Sequence, residues 1–264
     1  MGVHITNEVY HVEILPPKQN TEKLDSDLKR FDMKYRKVLD AGYCICITDN
    51  AMGLLAFQGM ELIEELDLPV VSDRLMIHLN TFHTKKDLDG ILTSCADRGV
   101  GNILVVSGDG NERLPRLTPD EMGCPEATVV TSAELLRYIN RECPGKFNLG
   151  VAFNPYEPEE HEFEKMARKI DSGAEYIITQ PLLGKNPITD KMIDQFKLPV
   201  IVEAWMSKRL HLLSECVGYD IPEDADYDPV ASLKNLHSFY ATSGVYLALL
   251  GYKTQFPLLK EIWV

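Results

Sequence analysis

The chain has 264 residues, of which 45% are hydrophobic and 25% are charged, a composition typical of a globular protein with a buried core. Its formal net charge of -13 argues against sequence-independent nucleic-acid binding and against binding to an anionic membrane, because both need a basic surface. No signal peptide and no long apolar stretch are evident, and the six cysteines form no CxxC pair, so we expect a protein of the reducing cytoplasm.

Short apolar segments alternate with amphipathic segments along most of the chain. The predicted strands are Val9–Leu15, Tyr43–Ile47, Leu75–Leu79, Asn102–Val106, Leu149–Phe153, Tyr176–Thr179 and Val200–Glu203. Between them, apolar residues recur at helical spacing. The predicted helices are Asp25–Leu39, Gln58–Leu66, Lys85–Arg98, Ser132–Arg141, Glu159–Ser172 and Thr189–Phe196.

Seven strand–helix alternations without a change in composition predict a parallel sheet within one domain over residues 1–264. We predict a (β/α)8 TIM-type barrel of the α/β class. The alternative is a doubly wound open sheet, which the absence of GxGxxG after the first strand disfavours. The eighth strand is not located by the pattern. Pro229–Leu250 is predicted to be helical, and Leu258–Val264 is either a late strand or a packed end.

Polar side chains lie within, or directly after, the carboxyl-terminal part of each of the seven predicted strands. In barrels of this kind, the carboxyl ends of the strands and their loops form the active site. These polar residues are Glu13, Asp49, Asn50, His78, Asn80, Ser107, Asp109, Asn154, Gln180 and Glu203. A barrel built for stability alone would not need so many of them, so the pattern indicates a functional site at this end.

Glu13 interrupts an apolar strand, where a carboxylate is costly unless it is paired, solvated or protonated. Such a position can raise the pKa towards neutrality, as a general acid requires, although an exposed strand end or an ion pair would explain it equally well. Asp109 lies in a turn-like Ser-Gly-Asp-Gly sequence, where aspartate is often a backbone cap. His78 is more typical of a barrel interior than of a ligand set. No HxH or HExxH spacing occurs, and we predict no catalytic metal.

Six short motifs, in order over residues 9–203, resemble those of the methylenetetrahydrofolate reductase family. They are Glu13–Pro17 (EILPP), Thr48–Ala51 (TDNA), His78–Asn80 (HLN), Val105–Asp109 (VVSGD), Gly150–Pro155 (GVAFNP), and Arg168–Ala174 followed by Ile178–Gln180 (RKIDSGA and ITQ). The resemblance implies a flavin-dependent barrel that reduces 5,10-methylenetetrahydrofolate, or a related C1-pterin, to the 5-methyl form.

The resemblance also implies roles for individual residues. Glu13 would protonate N10 of the folate, and Asp109 would lie near the pterin and the flavin. Gln180 would hold the folate, with Asn50 and Glu203 as further substrate contacts. The FAD site would be lined by His78, Asn80, Ser107, Asn154, Arg168 and Lys169, with the last two facing the phosphates. NAD(P)H or another electron donor would supply the hydride.

The sequence departs from the family pattern at several positions. Ser107 replaces an arginine or threonine, and Glu203-Ala204-Trp205-Met206 stands where a Pro-Gly pair is expected. Two alternatives therefore remain open. One is a flavin-free tetrahydrofolate-binding transferase or demethylase. The other is a non-catalytic barrel subunit of a C1 enzyme complex, and a homo-oligomer or a C1-pathway protein partner is compatible with each.

Overall fold

The computed structural model describes residues 9–261. Eight parallel strands form a closed barrel in sequential order, which confirms the predicted (β/α)8 fold and excludes the open sheet. The strands are β1 Tyr10–Ile14, β2 Cys44–Ile47, β3 Leu75–Leu79, β4 Asn102–Val105, β5 Asn148–Phe153, β6 Tyr176–Pro181, β7 Val200–Trp205 and β8 Gly244–Ala248.

Helices follow the strands as the alternation predicted. They are α1 Leu24–Asp40, α2 Gly59–Glu65, α3 Lys85–Arg98, α4 Pro119–Met122, α5 Ser132–Glu142, α6 Glu159–Asp171, α7 Pro187–Phe196, α8 Leu210–Val217, α9 Pro229–Phe239 and α10 Tyr252–Gln255. Single 3-10 turns occupy Ala51–Gly53 and Phe256–Glu261. Among the described residues, no helix is both long and apolar enough to span a bilayer.

The chain divides into two compact units. Of the described residues, the first unit contains 14–151 and 167–175, and the second contains 9–13, 152–166 and 176–261. Each unit has its own run of in-register parallel strands. In the first unit, β2 pairs with β3, β3 with β4, and β4 with β5. In the second unit, β6 pairs with β7, β7 with β8, and β8 with β1.

In the first unit, side chains of β2 and β3 pack directly against the start of α2. A Cβ atom at Gly59 would lie 3.0 Å from Cγ2 of Ile47 and 3.3 Å from Cδ1 of Ile77, so only glycine fits without displacing them. Ile47 and Ile77 are in-register partners and therefore share the outer, helix-facing side of the sheet. Their alternating neighbours, including His78, face the opposite, inner side.

Local capping sequences fix where the helices of the first unit begin and end. The side chain of Thr84 accepts a hydrogen bond from the Asp87 N–H at the start of α3, and Gly99, with φ of 74°, ends that helix. A capping box formed by Thr131 and Glu134 begins α5. These residues satisfy backbone groups that the helix itself leaves unpaired.

The chain after α8 differs from its predicted structure. The predicted helix Pro229–Leu250 is wrong beyond Phe239, because a turn closed by the Ser243 N–H to Tyr240 O hydrogen bond leads into β8. A short apolar run satisfies strand and helix patterns equally, and periodicity could not separate them. The late strand proposed for Leu258–Val264 is also wrong for its described part, which is a 3-10 helix, and residues 262–264 lie outside the described residues.

The eighth strand provides a direct test of this assignment. Leu247 is fully buried and pairs with Val12 and Ala204. We expect Leu247→Ala to lower the free energy of unfolding by about 2–5 kcal/mol in urea titrations, because it opens a cavity in the packed sheet. The matched change at exposed Leu183 should cost no more than about 0.5 kcal/mol. Equal effects of the two substitutions would contradict a buried β8.

Candidate active site

The inner face of β1 carries two polar side chains. Tyr10 is hydrogen-bonded through its hydroxyl to Nε2 of His237 on α9, 2.8 Å away, so this residue points to the helices. Since side chains alternate along a strand, the intervening His11 and the following Glu13 point to the inner side. A carboxyl and an imidazole are therefore placed where most barrels have apolar side chains.

Two more polar residues share this inner face. The in-register partner of His11 on β8 is Tyr246, and the partner of Tyr246 on β7 is Glu203. In-register residues of parallel strands project to the same side. The Tyr246 hydroxyl donates a hydrogen bond to Oε2 of Glu13 at 2.9 Å, which joins β8 to β1. Glu13 and Glu203, here called the acid pair, thus flank one tyrosine.

The pKa values of both carboxyls of the acid pair are raised above their usual range. Each retains some solvent-accessible surface although protein atoms surround it. Burial raises the pKa of Glu13, and the hydrogen bond from Tyr246 partly opposes the rise because it favours the carboxylate. Burial raises the pKa of Glu203 well above its usual range, and the nearby charge of Glu13 raises it further. A shift of this kind is typical of acid–base groups.

Gln180 lies beside Glu203 at an irregularity of β6. The pairing of β6 with β7 shifts register between Ile178 and Pro181, and Gln180 falls within that shift. The Glu203 N–H donates to Oγ1 of Thr179 at 3.1 Å, so a side chain replaces a regular ladder bond. Bulges of this type re-aim side chains and are common next to active sites. The structure therefore brings Glu13, Glu203 and Gln180 into the same unit.

His11 lies two residues before Glu13 and is buried, with 1% of its surface exposed. Burial lowers the pKa of His11 to about 4, with a backbone hydrogen bond at Val245 acting in the opposite direction. Within the described residues, its Nδ1 has no hydrogen-bond partner. His11 is thus neutral at pH 7 and adds no positive charge next to the acid pair.

The first unit contains a separate buried network around Asp49. Oδ2 of Asp49 accepts hydrogen bonds from the Asn80 N–H at 2.9 Å and from Nε2 of His83 at 2.6 Å. The other oxygen accepts from the amide of Asn50 at 3.2 Å. Asn80 also donates from its side chain to the Asp49 carbonyl and accepts from the Phe82 N–H. This network fixes the loops that follow β2 and β3.

Asp109 holds a strained turn in the first unit. Its Oδ2 accepts a hydrogen bond from the Met52 N–H at 2.9 Å, while the Asn111 side chain donates to the Gly53 carbonyl. Asn50 and Met52 both have positive φ, at 46° and 58°, which is unfavourable for residues other than glycine. Backbone strain of this kind is often kept at functional sites. The exposed carboxylate of Asp109 therefore positions the loop after β2.

A groove of about 790 Å³ runs between α2 and α3 in the first unit. Asn50, Phe82 and His83 line it, together with acidic side chains of the two helices that include Glu61 and Asp87. His83 connects the buried Asp49 network to this groove. Volume alone does not identify a catalytic centre, and the acid pair offers the stronger proton-transfer chemistry.

Comparison with known proteins identifies the family. The family model described as "Methylenetetrahydrofolate reductase" matches residues 3–197. The chain belongs to the methylenetetrahydrofolate reductase family. This membership confirms the resemblance seen in the six motifs. No curated protein matches the sequence.

Solved structures of other proteins share the barrel of this methylenetetrahydrofolate reductase family member. One is a Clostridium thermocellum protein that binds two copies of 5-methyl-5,6,7,8-tetrahydrofolic acid, with 14% identity, a TM-score of 0.61, and coverage of 96% of this chain and 94% of the other. Another is 2,3-dimethylmalate lyase, with 8% identity, a TM-score of 0.51, and coverage of 96% and 80%. A third is oxaloacetate acetylhydrolase, with 9% identity, a TM-score of 0.53, and coverage of 96% and 79%. At these identities the likeness shows the fold alone.

Three of the residues that the family resemblance assigns to flavin have defined places in the first unit. Arg168 and Lys169 lie in the last turn of α6. The amide of Asn80 is fully buried and is hydrogen-bonded to Asp49 and Phe82. Flavin binding by these residues stays a prediction.

Three further predicted cofactor residues have structural contacts. Burial lowers the pKa of the inner-facing His78 to about 4, against the opposing charge of Asp49. The Ser107 carbonyl accepts a hydrogen bond from the Thr81 hydroxyl at 2.8 Å. Asn154 Oδ1 accepts from the Tyr156 N–H at 3.0 Å, which caps the turn after β5. Cofactor binding by these residues stays a prediction.

Three residues, Tyr246, His83 and His11, were not predicted from the sequence as site residues. Tyr246 was not predicted because its segment was assigned to a helix, so its place beside the first strand was not foreseen. His83 lies in a loop, five residues after the predicted His78, and no pattern linked it to Asp49. His11 could have been found, because strict alternation places it on the same face as Glu13.

The Asp49 network should contribute strongly to stability. We expect Asp49→Ala to lower the free energy of unfolding by about 3–5 kcal/mol in urea, because it leaves His83 and the Asn80 N–H buried without their acceptor. The same change at the exposed Asp73 should have an effect below about 0.5 kcal/mol. A similarly small loss for Asp49→Ala would show that the network is not a structural requirement.

The hydrogen bond from Tyr246 should control the ionisation of Glu13. Because the hydroxyl stabilises the carboxylate, Tyr246→Phe should raise the pKa of Glu13 further. Infrared difference titration, with Glu13→Gln to assign the band, should show the carboxyl titrating at a higher pH. Tyr219→Phe, at a half-exposed tyrosine, is the control. An unchanged or lower midpoint for Glu13 would refute this assignment.

Proposed function

We propose that the chain acts on a reduced folate that carries a one-carbon unit, and that Glu13 donates the proton that the reaction requires. The observation that carries the proposal is the partly accessible Glu13 on the inner face of β1, with a raised pKa and a tyrosine hydroxyl on its carboxylate. Family membership supports the substrate class. The Clostridium thermocellum barrel that binds 5-methyltetrahydrofolate supports it further.

Proton donation to N10 opens the five-membered ring of 5,10-methylenetetrahydrofolate. The proton moves from the Glu13 carboxyl to N10, the bond between N10 and the methylene carbon breaks with its electron pair staying on N10, and an iminium forms between N5 and that carbon. The iminium then accepts a hydride or another nucleophile. The raised pKa keeps Glu13 protonated closer to neutral pH, where a general acid is effective.

Tyr246 assists the same step from the other side. As Glu13 loses its proton, the negative charge develops on a carboxylate that already accepts the Tyr246 hydroxyl. Hydrogen bonds to a charged acceptor are stronger than those to a neutral one, so this contact stabilises the state after proton transfer more than the state before it. Gln180 and Glu203 lie close enough in the fold to serve as substrate contacts.

Asp109 and Asn50 have a positioning role in this proposal. Asp109 holds the Met52 N–H, and Asn50 uses its amide within the same loop, accepting from the Ala56 N–H at 3.0 Å. Both shape the exposed turn Ala51–Gly53, where Met52 is 65% exposed.

A flavin-dependent reductase is the second candidate function, and the family match favours it. FAD would supply the hydride after it had itself been reduced by NAD(P)H or another electron donor. Its predicted contacts are His78, Asn80, Ser107, Asn154, Arg168 and Lys169, and we assign no reaction step to a flavin. The visible spectrum of the purified protein separates the candidates. A flavin spectrum, with FAD released on denaturation, would establish the reductase. A colourless protein that FAD and FMN do not reconstitute would leave the flavin-free transferase or demethylase.

The role of Glu13 can be tested by an isosteric substitution. We expect Glu13→Gln to lower turnover of 5,10-methylenetetrahydrofolate by about 10²–10⁴-fold, because the amide cannot donate an acidic proton. Binding of 5-methyltetrahydrofolate, measured by calorimetry, should persist. Glu215→Gln, at an exposed position of α8, is the matched control.

Two outcomes would contradict the proposal. Full function of the Glu13→Gln protein would favour a non-catalytic subunit, in which Glu13 has no chemical task. Absence of heat with every reduced folate, for the unmodified protein, would reject the substrate class. Thermal unfolding of both variants shows whether a loss of turnover has a merely structural cause.

A further inference from the structure

The position of Glu203 is fixed by its own backbone. Its N–H donates to Oγ1 of Thr179, and its carbonyl accepts from the Leu182 N–H at 2.9 Å. It is in register with Tyr246 on the next strand, on the inner face. The Glu203 side chain therefore starts from a fixed backbone position beside the tyrosine that binds Glu13.

No positive charge of the second unit compensates the acid pair. Within the described residues of that unit, neither Glu13 nor Glu203 forms an ion pair with a lysine, arginine or histidine. In the second unit, His11 of β1 and Tyr246 of β8 lie in register beside the pair. Burial lowers the pKa of His11 to about 4, so that this imidazole is neutral at pH 7.

Two close carboxyls that form no ion pair within the described residues of their unit cannot both ionise at low cost. The hydrogen bond from Tyr246 distinguishes them, because it stabilises the ionised form of Glu13 and no corresponding bond to Glu203 is formed in the second unit's described residues. The proton that remains is therefore on Glu203. Burial and the charge of Glu13 both act to raise the pKa of Glu203, which agrees with the geometry.

We propose that Glu203 keeps its proton after Glu13 has ionised and donates a hydrogen bond to the bound ligand, while Glu13 is the member of the pair that exchanges its proton. This inference depends on the proposed function only for the ligand's identity. A neutral acid is suited to a heterocycle that presents a carbonyl oxygen or an unprotonated ring nitrogen. The two side chains of the acid pair are chemically identical, and their different surroundings alone would then give them different tasks.

Infrared difference spectroscopy of the ligand-free protein tests the protonation directly. Above the pH at which Glu13 loses its proton, we expect the carbonyl band of a protonated carboxylic acid to remain, and Glu203→Gln should remove it. Glu13→Gln should keep this band but lower the pH at which it disappears, because the neighbouring negative charge is gone. Glu215→Gln should leave the band and its midpoint unchanged. Absence of a protonated-acid band that Glu203→Gln removes would overturn the proposal, and so would an unchanged midpoint in Glu13→Gln.

Calorimetry with 5-methyltetrahydrofolate tests the hydrogen bond to a ligand. Glu203→Gln keeps a neutral donor, whereas Glu203→Leu keeps only the approximate volume, so the glutamine variant should bind about fivefold more tightly. Equal affinities of the two variants would overturn the donor role. If the unmodified protein bound no reduced folate, the proposed function would fail, but the infrared result would still decide the protonation state of Glu203. Thermal unfolding of both variants checks that each is folded.

Discussion

The hydrogen bond between Tyr246 and Glu13 connects the last strand of the sheet to the first. It joins residues that are 233 positions apart in the sequence, and both are buried or half-buried on the inner face. A buried carboxyl needs such a donor, because an unpaired charge inside a protein is costly. The strand register also places His11, Tyr246 and Glu203 side by side next to this bond.

Buried polar groups have different numbers of hydrogen-bond donors in the two units. In the first unit, Asp49 is satisfied by three donors, and its surroundings supply an imidazole. In the second unit, the acid pair has one tyrosine donor and a neutral His11. A fully satisfied network rigidifies a loop, whereas a partly satisfied one retains groups that can bind or exchange protons. This difference is why we place chemistry at the acid pair and structure at Asp49.

Much of the fold could be predicted from sequence, because each strand is a short apolar run followed by an amphipathic helix. Glu13 could also be singled out, since burying a carboxyl in an apolar strand costs free energy unless the group is paired, solvated or protonated. The pairing of Glu13 with Tyr246 could not, because it depends on where β8 lies, and Val245–Ala248 has no period that excludes a helix. Local motifs likewise could not show that the Asn80 amide donates a hydrogen bond to the Asp49 carbonyl, since that hydrogen bond joins two separate loops.

The family match ends at residue 197, just before β7 begins at Val200. Glu13 lies within the matched region, while Glu203 and Tyr246 lie beyond it. The match therefore includes the acid that we propose as the proton donor, but not the two groups that we propose govern its ionisation. A change in either of the last two strands could alter the pKa of Glu13 without touching the matched region. The closing segment of the barrel is therefore where members of such a family can diverge without altering the signature by which they are recognised.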